Sequence, residues 1–201
     1  ARVAWGVRGA VWLLAWLVGG GVRWGVGCHC GRGLRGGGGT THGRFVARRA
    51  EKHDVEFERG GANVAAIATQ RKQSIETTAR QERLAFFAQV ARRRRCRTIF
   101  LAHQADDQVE TFLLNLFRGA AGRGLGAMRL RARHGALEIV RPLLGVWRSE
   151  IDEYAAQHRL KYRDDATNEE LKARRNRVRH KIVPWLEKEF GRNLRSTIWR
   201  A

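Results

Sequence analysis

The chain has 201 residues, 39 of them Lys or Arg and 19 Asp or Glu, which gives a formal net charge of +20 at pH 7. This length supports one domain with a sizeable hydrophobic core. The positive excess favours a polyanionic partner such as a nucleic acid. The apolar run over 11–18 is too short to span a membrane and predicts a core helix. Three cysteines, an odd number, form no disulfide framework and indicate a reducing cytosol.

The first fifty residues differ in composition from the rest. They contain no Asp, Glu, Ser, Lys, Asn or Gln, hold fourteen of the 23 glycines and carry a charge of +8. A folded domain normally mixes both signs of charge on its surface. Two interpretations follow: either the chain is a degenerate paralogue, or its start is a damaged or misread version of an ordinary domain.

The apolar patterns alternate between short runs and amphipathic stretches. Strands are predicted near 3–7, 22–28, 54–58, 97–102 and 137–141. Helices are predicted near 11–18, 43–53, 74–94, 105–118, 147–158 and 169–190. Because strand–helix alternation is typical of parallel sheets covered by helices, we expect an α/β fold with a parallel five-stranded sheet and helices on both faces.

The predicted strand over 97–102 leads directly into a helix with an acidic edge. One apolar stripe of this helix contains Val109, Phe112, Leu113, Leu116 and Phe117. A second row of His103, Asp106 and Glu110 lies about a quarter turn away, with Asp107 slightly further round. Acids in a first turn are favoured by the helix dipole alone. At the carboxyl end of a strand, however, such groups can hold a magnesium–nucleotide complex or orient a nucleophile.

The segment His103-Gln104-Ala105-Asp106-Asp107-Gln108-Val109-Glu110-Thr111 resembles the signature of the tRNA(Ile)-lysidine synthases, which are PP-loop ATP pyrophosphatases. Similar blocks occur in the same order at 74–83, 118–119, 124–128, 141–144, 165–168, 175–180 and 184–186. The resemblance implies an adenine nucleotide alpha hydrolase-like fold. It also implies a catalytic domain over 1–165, with 1–50 eroded, and a helical basic linker over 166–201 to a C-terminal region that this sequence lacks.

The resemblance implies a cytoplasmic enzyme that uses ATP and Mg²⁺ to adenylate C2 of the wobble cytidine of tRNA(Ile), after which the amine of free lysine displaces AMP. The implied catalytic residues are His103, Asp106, Asp107 and Glu110. Asp106 and Asp107 are the implied magnesium ligands, and the same acids can hold the lysine amine. The implied ATP-binding residues are Gly9, Arg80 and Arg118, and those at the tRNA or nucleotide are Arg175, Asn176 and Arg179. The oligomeric state is left open, a homodimer included.

The phosphate loop of this family, SGGxDS, aligns best with residues 8–13, where only Gly9 and the variable position match. Small residues let backbone N–H groups cradle phosphate, and the polar side chains complete the cage. Trp12 stands in place of the carboxylate and Leu13 in place of the last hydroxyl. We therefore expect weak ATP–magnesium binding and no ATP–pyrophosphate turnover.

Two alternatives remain open at this stage. One is a catalytically inactive, basic tRNA-binding paralogue, which the degenerate loop at 8–13 favours. The other is a sulfur-transferring PP-loop enzyme acting on tRNA, which needs paired cysteines that Cys28-x-Cys30 replaces poorly. The basic run over 92–95 is compatible with RNA contact and with a solvated helix face.

Overall fold

The computed structural model describes residues 2–4, 26–31, 38–160, 174–191 and 193–201. The chain divides into two compact units, one joining 1–102 with 131–140 and the other joining 103–130 with 141–201. The helix predicted over 11–18 and the loop over 8–13 lie outside the described residues, as does the boundary predicted at 165, so the division at 165 stays a prediction. None of the described helices is long and apolar enough to cross a membrane.

The first unit contains a sheet of six described strands. They are β1 Arg2–Ala4, β2 Val26–Gly31, β3 Glu56–Gly61, β4 Thr98–Leu101, β5 Arg131–His134 and β6 Leu137–Val140. The order across the sheet is β3-β2-β1-β4-β6-β5. The first five strands in this order pair in parallel, which confirms the α/β fold and the five parallel strands.

The prediction of five strands was incomplete, because β5 adds an antiparallel sixth strand at the edge. His134 of β5 pairs with Leu137 of β6, so only two residues form the hairpin loop. Gly135 opens this loop with φ +59°, a left-handed conformation that glycine adopts without steric cost. Three of the four residues in β5 are Arg or His, so the strand shows no apolar alternation.

Three described helices belong to the first unit: α1 Gly38–Lys52, α2 Val64–Gln70 and α3 Ile75–Arg93. The starts of α2 and α3 follow side chains that cap them. Asn63 accepts a hydrogen bond from the backbone N of Ala66 at 3.2 Å, and the Ser74 hydroxyl accepts one from the backbone N of Thr77 at 3.1 Å. Such caps satisfy first-turn donors that have no partner within the helix. Only α2 was not predicted, because seven residues are too few to display a helical period.

Helix α3 covers one face of the sheet through a cluster of buried side chains. Phe87 and Val90 of α3 contact Cys28 of β2 and Ile99 of β4. Strand residues two apart share a face, so Leu101 joins Ile99 at the edge of the same cluster. Burying each of the larger side chains contributes about 1.5–3 kcal/mol, which makes this cluster a main source of stability in the first unit.

The basic run over 92–95 is partly an ion-pair cluster with β3. Arg93 donates to Glu58 at 2.6 Å, and Arg94 donates to Glu58 at 2.9 and 3.0 Å. Arg94 also lies 2.7 Å from Glu56. Desolvation alone would raise the pKa of Glu58, but the hydrogen bonds and charges of these two arginines outweigh it and hold that pKa below its usual value. Half of the run is therefore bound to carboxylates of its own unit.

The second unit is helical. Its described helices are α4 Ala105–Leu116, a short 3₁₀ helix Gly122–Gly124, α5 Arg148–Gln157, α6 Arg174–Arg177, a π-helical segment Val178–Ile182, α7 Val183–Phe190 and α8 Leu194–Arg200. Val109 and Leu113 of α4 pack against Val178 and Val183, so the predicted apolar stripe of α4 faces the C-terminal helices. The stripe is shorter than predicted, because Leu116 and Phe117 at its end are exposed.

A close approach at the end of β3 generates the first prediction. A Cβ at Gly60 would collide with the ring of Phe86, which packs against the α3 cluster. We expect Gly60→Ala to lower the free energy of unfolding by about 1–3 kcal/mol, the usual cost of overpacking. The matched control is Gly145→Ala, whose Cβ would lie 3.7 Å from the Trp199 ring in ordinary contact. Urea unfolding that shows equal stability for both variants would contradict this packing.

Candidate active site

The acids of the first turn of α4 are positioned by backbone donors at two helix starts. The backbone N of Gln104, the residue before α4, donates to Asp107 Oδ2 at 3.0 Å. The backbone N of Arg148, the first residue of α5, donates to Asp106 Oδ2 at 2.8 Å. Carboxylates are favoured at helix N-termini because unpaired N–H groups and the helix dipole both attract negative charge. Each aspartate thus has one oxygen fixed by the backbone.

Glu110 is the most deeply buried carboxylate of the predicted row, with 3% of its side chain exposed. Arg179 binds this carboxylate through two hydrogen bonds, with Nε 2.6 Å from Oε1 and Nη2 3.0 Å from Oε2. Arg175 Nε donates to Oε2 at 2.6 Å and its Nη2 donates to Asp107 Oδ1 at 2.9 Å. A buried carboxylate requires such partners, because removing an unpaired charge from water is very costly. Two arginines therefore fasten the segment 174–182 to α4.

Asp106 belongs to a neighbouring ion-pair chain that reaches α8. Arg195 Nη1 lies 3.0 Å from Asp106 Oδ1, and Arg195 Nε donates to Glu187 of α7 at 2.7 Å. The hydrogen bond that Arg195 donates to Glu187 and the charges of both carboxylates raise the pKa of Arg195, outweighing the opposite effect of desolvation. Three predicted acids, Asp106, Asp107 and Glu110, are thus linked to the C-terminal helices.

The charges of the central cluster balance. Asp107 and Glu110 contribute two negative charges, and Arg175 and Arg179 contribute two positive ones. Magnesium is usually bound by one or two carboxylates together with substrate phosphates, and it retains several waters. The Asp106 oxygens are likewise taken by Arg195 and the Arg148 backbone. Each carboxylate oxygen of Asp106 and Asp107 already accepts a described donor, so the assignment of magnesium to these two residues stays a prediction. The described residues hold no group of three or more His, Cys, Asp or Glu suited to a metal.

The arginines predicted at the tRNA or nucleotide face α4 instead of lying open on the surface. Arg175 and Arg179 are held by Asp107 and Glu110, and Asn176 between them is buried. The spacing of these residues was a signal for the pairing. Arg175 and Arg179, four residues apart, share one face of a helix, and so do Asp107 and Glu110, three residues apart. Neither segment alone shows which arginine contacts which acid, because some 65 residues separate the two.

The remaining predicted residues are dispersed. His103 is half-buried one residue before Gln104, whereas Arg80 is exposed on α3 in the first unit. Arg118 donates to the Leu114 carbonyl at 3.0 Å and to Asn115 Oδ1 at 2.7 Å, which caps the C-terminal end of α4. Gly9 lies outside the described residues. The ATP-binding assignments of Gly9, Arg80 and Arg118 stay predictions.

Gln108 holds another family-like block against α4 and was missed as a site residue. Its amide nitrogen donates to the Met128 carbonyl at 2.7 Å, and its amide oxygen accepts from the Met128 backbone N at 2.8 Å. The two bonds resemble the paired backbone hydrogen bonds between neighbouring strands. They hold Met128, which follows a glycine-rich stretch over 119–126, against α4. The signal was its position between Asp107 and Glu110, where an amide matches two backbone groups at once.

Comparison with known families identifies the class of protein. Residues 28–186 match the model of the PP-loop domain. The chain belongs to this PP-loop family. The match leaves out the stretch over 8–13 that was aligned with the phosphate loop.

Similar curated sequences carry the name tRNA(Ile)-lysidine synthase. The protein of Geobacter sulfurreducens is 41% identical over 158 residues, covering 79% of this chain and 33% of its own length. The protein of Chlorobaculum tepidum is 38% identical over 172 residues, covering 86% and 51%. That of Porphyromonas gingivalis W83 is 38% identical over 176 residues, covering 88% and 38%. This chain therefore spans a third to a half of the length of these relatives.

Solved structures support the same fold. The U34-tRNA thiolase NcsA of Methanococcus maripaludis, with its [4Fe-4S] cluster, superposes with a TM-score of 0.75 at 18% identity over 99% of this chain and 70% of its own. The NH3-dependent NAD synthetase of Campylobacter jejuni superposes with a TM-score of 0.55 at 11% identity over 98% and 81%. At these identities the likeness shows the PP-loop fold alone.

The buried ion pairs generate the second prediction. Glu110→Gln keeps the side-chain shape but leaves two arginines facing a neutral amide. We expect a loss of about 3 kcal/mol in the free energy of unfolding, the low end for a broken buried pair because Arg175 retains some solvent contact. The control is Glu56→Gln, which breaks an exposed pair with Arg94 and is expected to cost about 0–1 kcal/mol. Equal losses in denaturant unfolding would contradict the burial argument.

Proposed function

We propose that this chain is the catalytic part of a tRNA(Ile)-lysidine synthase, which ligates free lysine to C2 of the wobble cytidine of isoleucine tRNA. Membership of the PP-loop family and the similarity to proteins of this name support the proposal. The observation that carries it is the pairing of the half-buried Asp107 and the buried Glu110 with two arginines from the block over 175–180. Both partners of this network lie in segments that resemble the family.

The Asp107 and Glu110 carboxylates form the proposed site for the lysine amine. Each carboxylate oxygen has two lone pairs, so one that accepts from an arginine can accept a second donor. Glu110 Oε1 accepts from Arg179 alone among the described donors, and Asp107 Oδ2 accepts only from the Gln104 backbone. An ammonium or amine can donate to these two oxygens while the arginines keep the carboxylates in place.

The arginines make this site selective for an amphoteric ligand. Because the four-residue cluster is neutral, it attracts a bare cation weakly. Lysine carries a carboxylate beside its amines, and this carboxylate can approach the guanidinium groups of Arg175 and Arg179. A simple diamine lacks that group, so it gains only half of the interaction.

The proposed reaction places two demands on the chain's own residues. ATP, when bound, supplies the adenylate that makes C2 of the cytidine electrophilic. The site must then present an uncharged lysine amine, which forms the C–N bond as AMP leaves with its electron pair and the amine loses its proton. Hydrogen bonds from the amine to Asp107 and Glu110 orient the nitrogen, and positioning of this kind accounts for much of the rate of two-substrate reactions.

The sulfur-transferring alternative gains no support from the described cysteines. Cys28 is buried in the α3 cluster of the sheet, whereas Cys96 follows the end of α3 and is half-buried. The inactive tRNA-binding paralogue remains an outcome of the loop experiment below.

Lysine binding provides the third prediction. We expect calorimetric titration of the chain with lysine to show binding that Asp107→Asn weakens about tenfold, since one charged hydrogen bond contributes about 1.5–3 kcal/mol. Norleucine, which lacks the terminal amine, and cadaverine, which lacks the carboxylate, should both bind more weakly than lysine. Glu153→Gln, at an exposed position of α5, is the charge-matched control. Equal affinity of wild type and Asp107→Asn would contradict the assigned subsite.

The fourth prediction concerns the loop over 8–13. As written, this chain should show no ATP–pyrophosphate turnover, because Trp12 and Leu13 replace polar groups of the phosphate cage. A variant with Arg8→Ser, Ala10→Gly, Trp12→Asp and Leu13→Ser should gain turnover and, with tRNA(Ile) and lysine, form lysidine. Adding Glu110→Gln to that variant should remove lysidine formation. Robust lysidine formation by the chain as written would refute the loop prediction, and an inert restored variant that binds both tRNA and ATP would support the paralogue.

A further inference from the structure

The segment from α6 through the π-helical residues to α7 has two chemically different faces. Its inner face carries Arg175 and Arg179, which are bound to acids of α4, together with Val178 and Val183 of the core. Its outer face is exposed and carries cations. The exposed cations are Arg174, Arg177, Lys181 and Lys188, and no ion pair joins any of them to a described residue. We call these four residues, together with Trp185, the outer basic stripe.

Trp185 lies within this stripe and is 57% exposed, although the neighbouring Val183 and Leu186 pack into the core. Lys181 precedes it by four residues and Lys188 follows it by three, which on a helix are the positions that flank a side chain. One carboxylate, Glu189, shares the exposed face, so cations outnumber acids there. A large indole left in water between lysines has no role in folding stability that the described contacts explain.

We propose that the outer basic stripe binds the unpaired loop of an RNA, with a base stacked on Trp185 and phosphates on Lys181, Lys188 and Arg177. Every base offers a π-face, so a single exposed aromatic ring suits an unpaired nucleotide, while adjacent cations follow the backbone. An extended duplex offers phosphates but no free base face. The stripe therefore distinguishes looped from fully paired RNA.

Charge favours RNA over the other possible occupants of this face. The chain carries +20 overall, so a second copy seated on the same cationic stripe would be repelled, whereas a polyanion is attracted. The stripe is also separate from the network of Arg175 and Arg179, so RNA can bind without breaking the buried ion pairs. The inference rests on the proposed function in one respect only, which is that the RNA supplying the loop would be a tRNA.

The test is binding of an RNA hairpin with an unpaired loop, measured by fluorescence anisotropy on the 201-residue chain without ATP or lysine. Trp185→Ala should weaken hairpin binding by about 5- to 150-fold, the range for loss of one base–aromatic stack. Trp185→Phe should retain most of the affinity, since a ring remains. The control is Phe190→Ala, which removes a still more exposed ring next to Glu189 and should change little. A blunt duplex with the same stem should be nearly insensitive to Trp185→Ala.

A salt series tests the phosphate contacts separately. The double variant Lys181→Ala and Lys188→Ala should reduce the slope of log affinity against log salt by about one for each lost contact. Lys52→Ala, at the end of α1, removes one lysine charge elsewhere and should leave the slope unchanged. Circular dichroism confirms that each variant is folded.

Two results would overturn the proposal. One is hairpin affinity of folded Trp185→Ala equal to that of wild type. The other is a folded Trp185→Ala variant that binds RNA as wild type does but sediments as a monomer where wild type sediments as a dimer. That result would make the stripe a protein interface. Because lysine and ATP are absent and Glu110 is intact, neither result bears on the ligase activity. Conversely, a chain that binds the hairpin but forms no lysidine would contradict the proposed ligase activity and leave the RNA-binding proposal standing.

Discussion

The second unit depends on the burial of one carboxylate. Glu110 lies on the side of α4 that packs against other helices, and a carboxylate there is tolerated only with charged hydrogen-bond donors around it. Arg175 and Arg179 supply these donors, and each also contacts Asp107. The position of the C-terminal helices on α4 follows from this requirement, because both arginines must reach the same side chain.

The π-helical segment next to these arginines fits the same constraint. In a π-helix each turn takes one more residue than in an α-helix, so residues five apart share a face. Val178 and Val183, five apart, both pack against Val109 and Leu113 of α4. The wider turn lets Arg175 of α6 and Arg179 of the π-helical segment both reach Glu110 while α7 still buries its own apolar residues. Its outer face is left to cations and Trp185, so the same segment serves stability on one side and, in our proposal, RNA on the other.

Much of the fold could be predicted because it is written in local patterns. The parallel strands appear as short apolar runs, and α4 appears as a clean apolar stripe with acids at its start. The antiparallel β5 was missed because its arginines conceal the alternation, and only Gly135 marked the turn. The acid row lies on α4 as predicted, but its partners could not be read from the sequence, which shows the groups that need a counter-charge and not the distant groups that provide it. The assignment of Arg175 and Arg179 to the tRNA or nucleotide stays a prediction, and their contacts with Asp107 and Glu110 come from the structure alone.

The claim that a buried ion-pair network joins the C-terminal helices to α4 is tested most directly by a double-mutant cycle on Glu110 and Arg179. The free energies of unfolding of wild type, Glu110→Gln, Arg179→Gln and the double variant give the coupling between the two side chains. The account predicts a coupling of about 1–3 kcal/mol, as found for groups sharing one network. Additive effects, within about 0.5 kcal/mol, would show that the two residues act independently and would contradict the account.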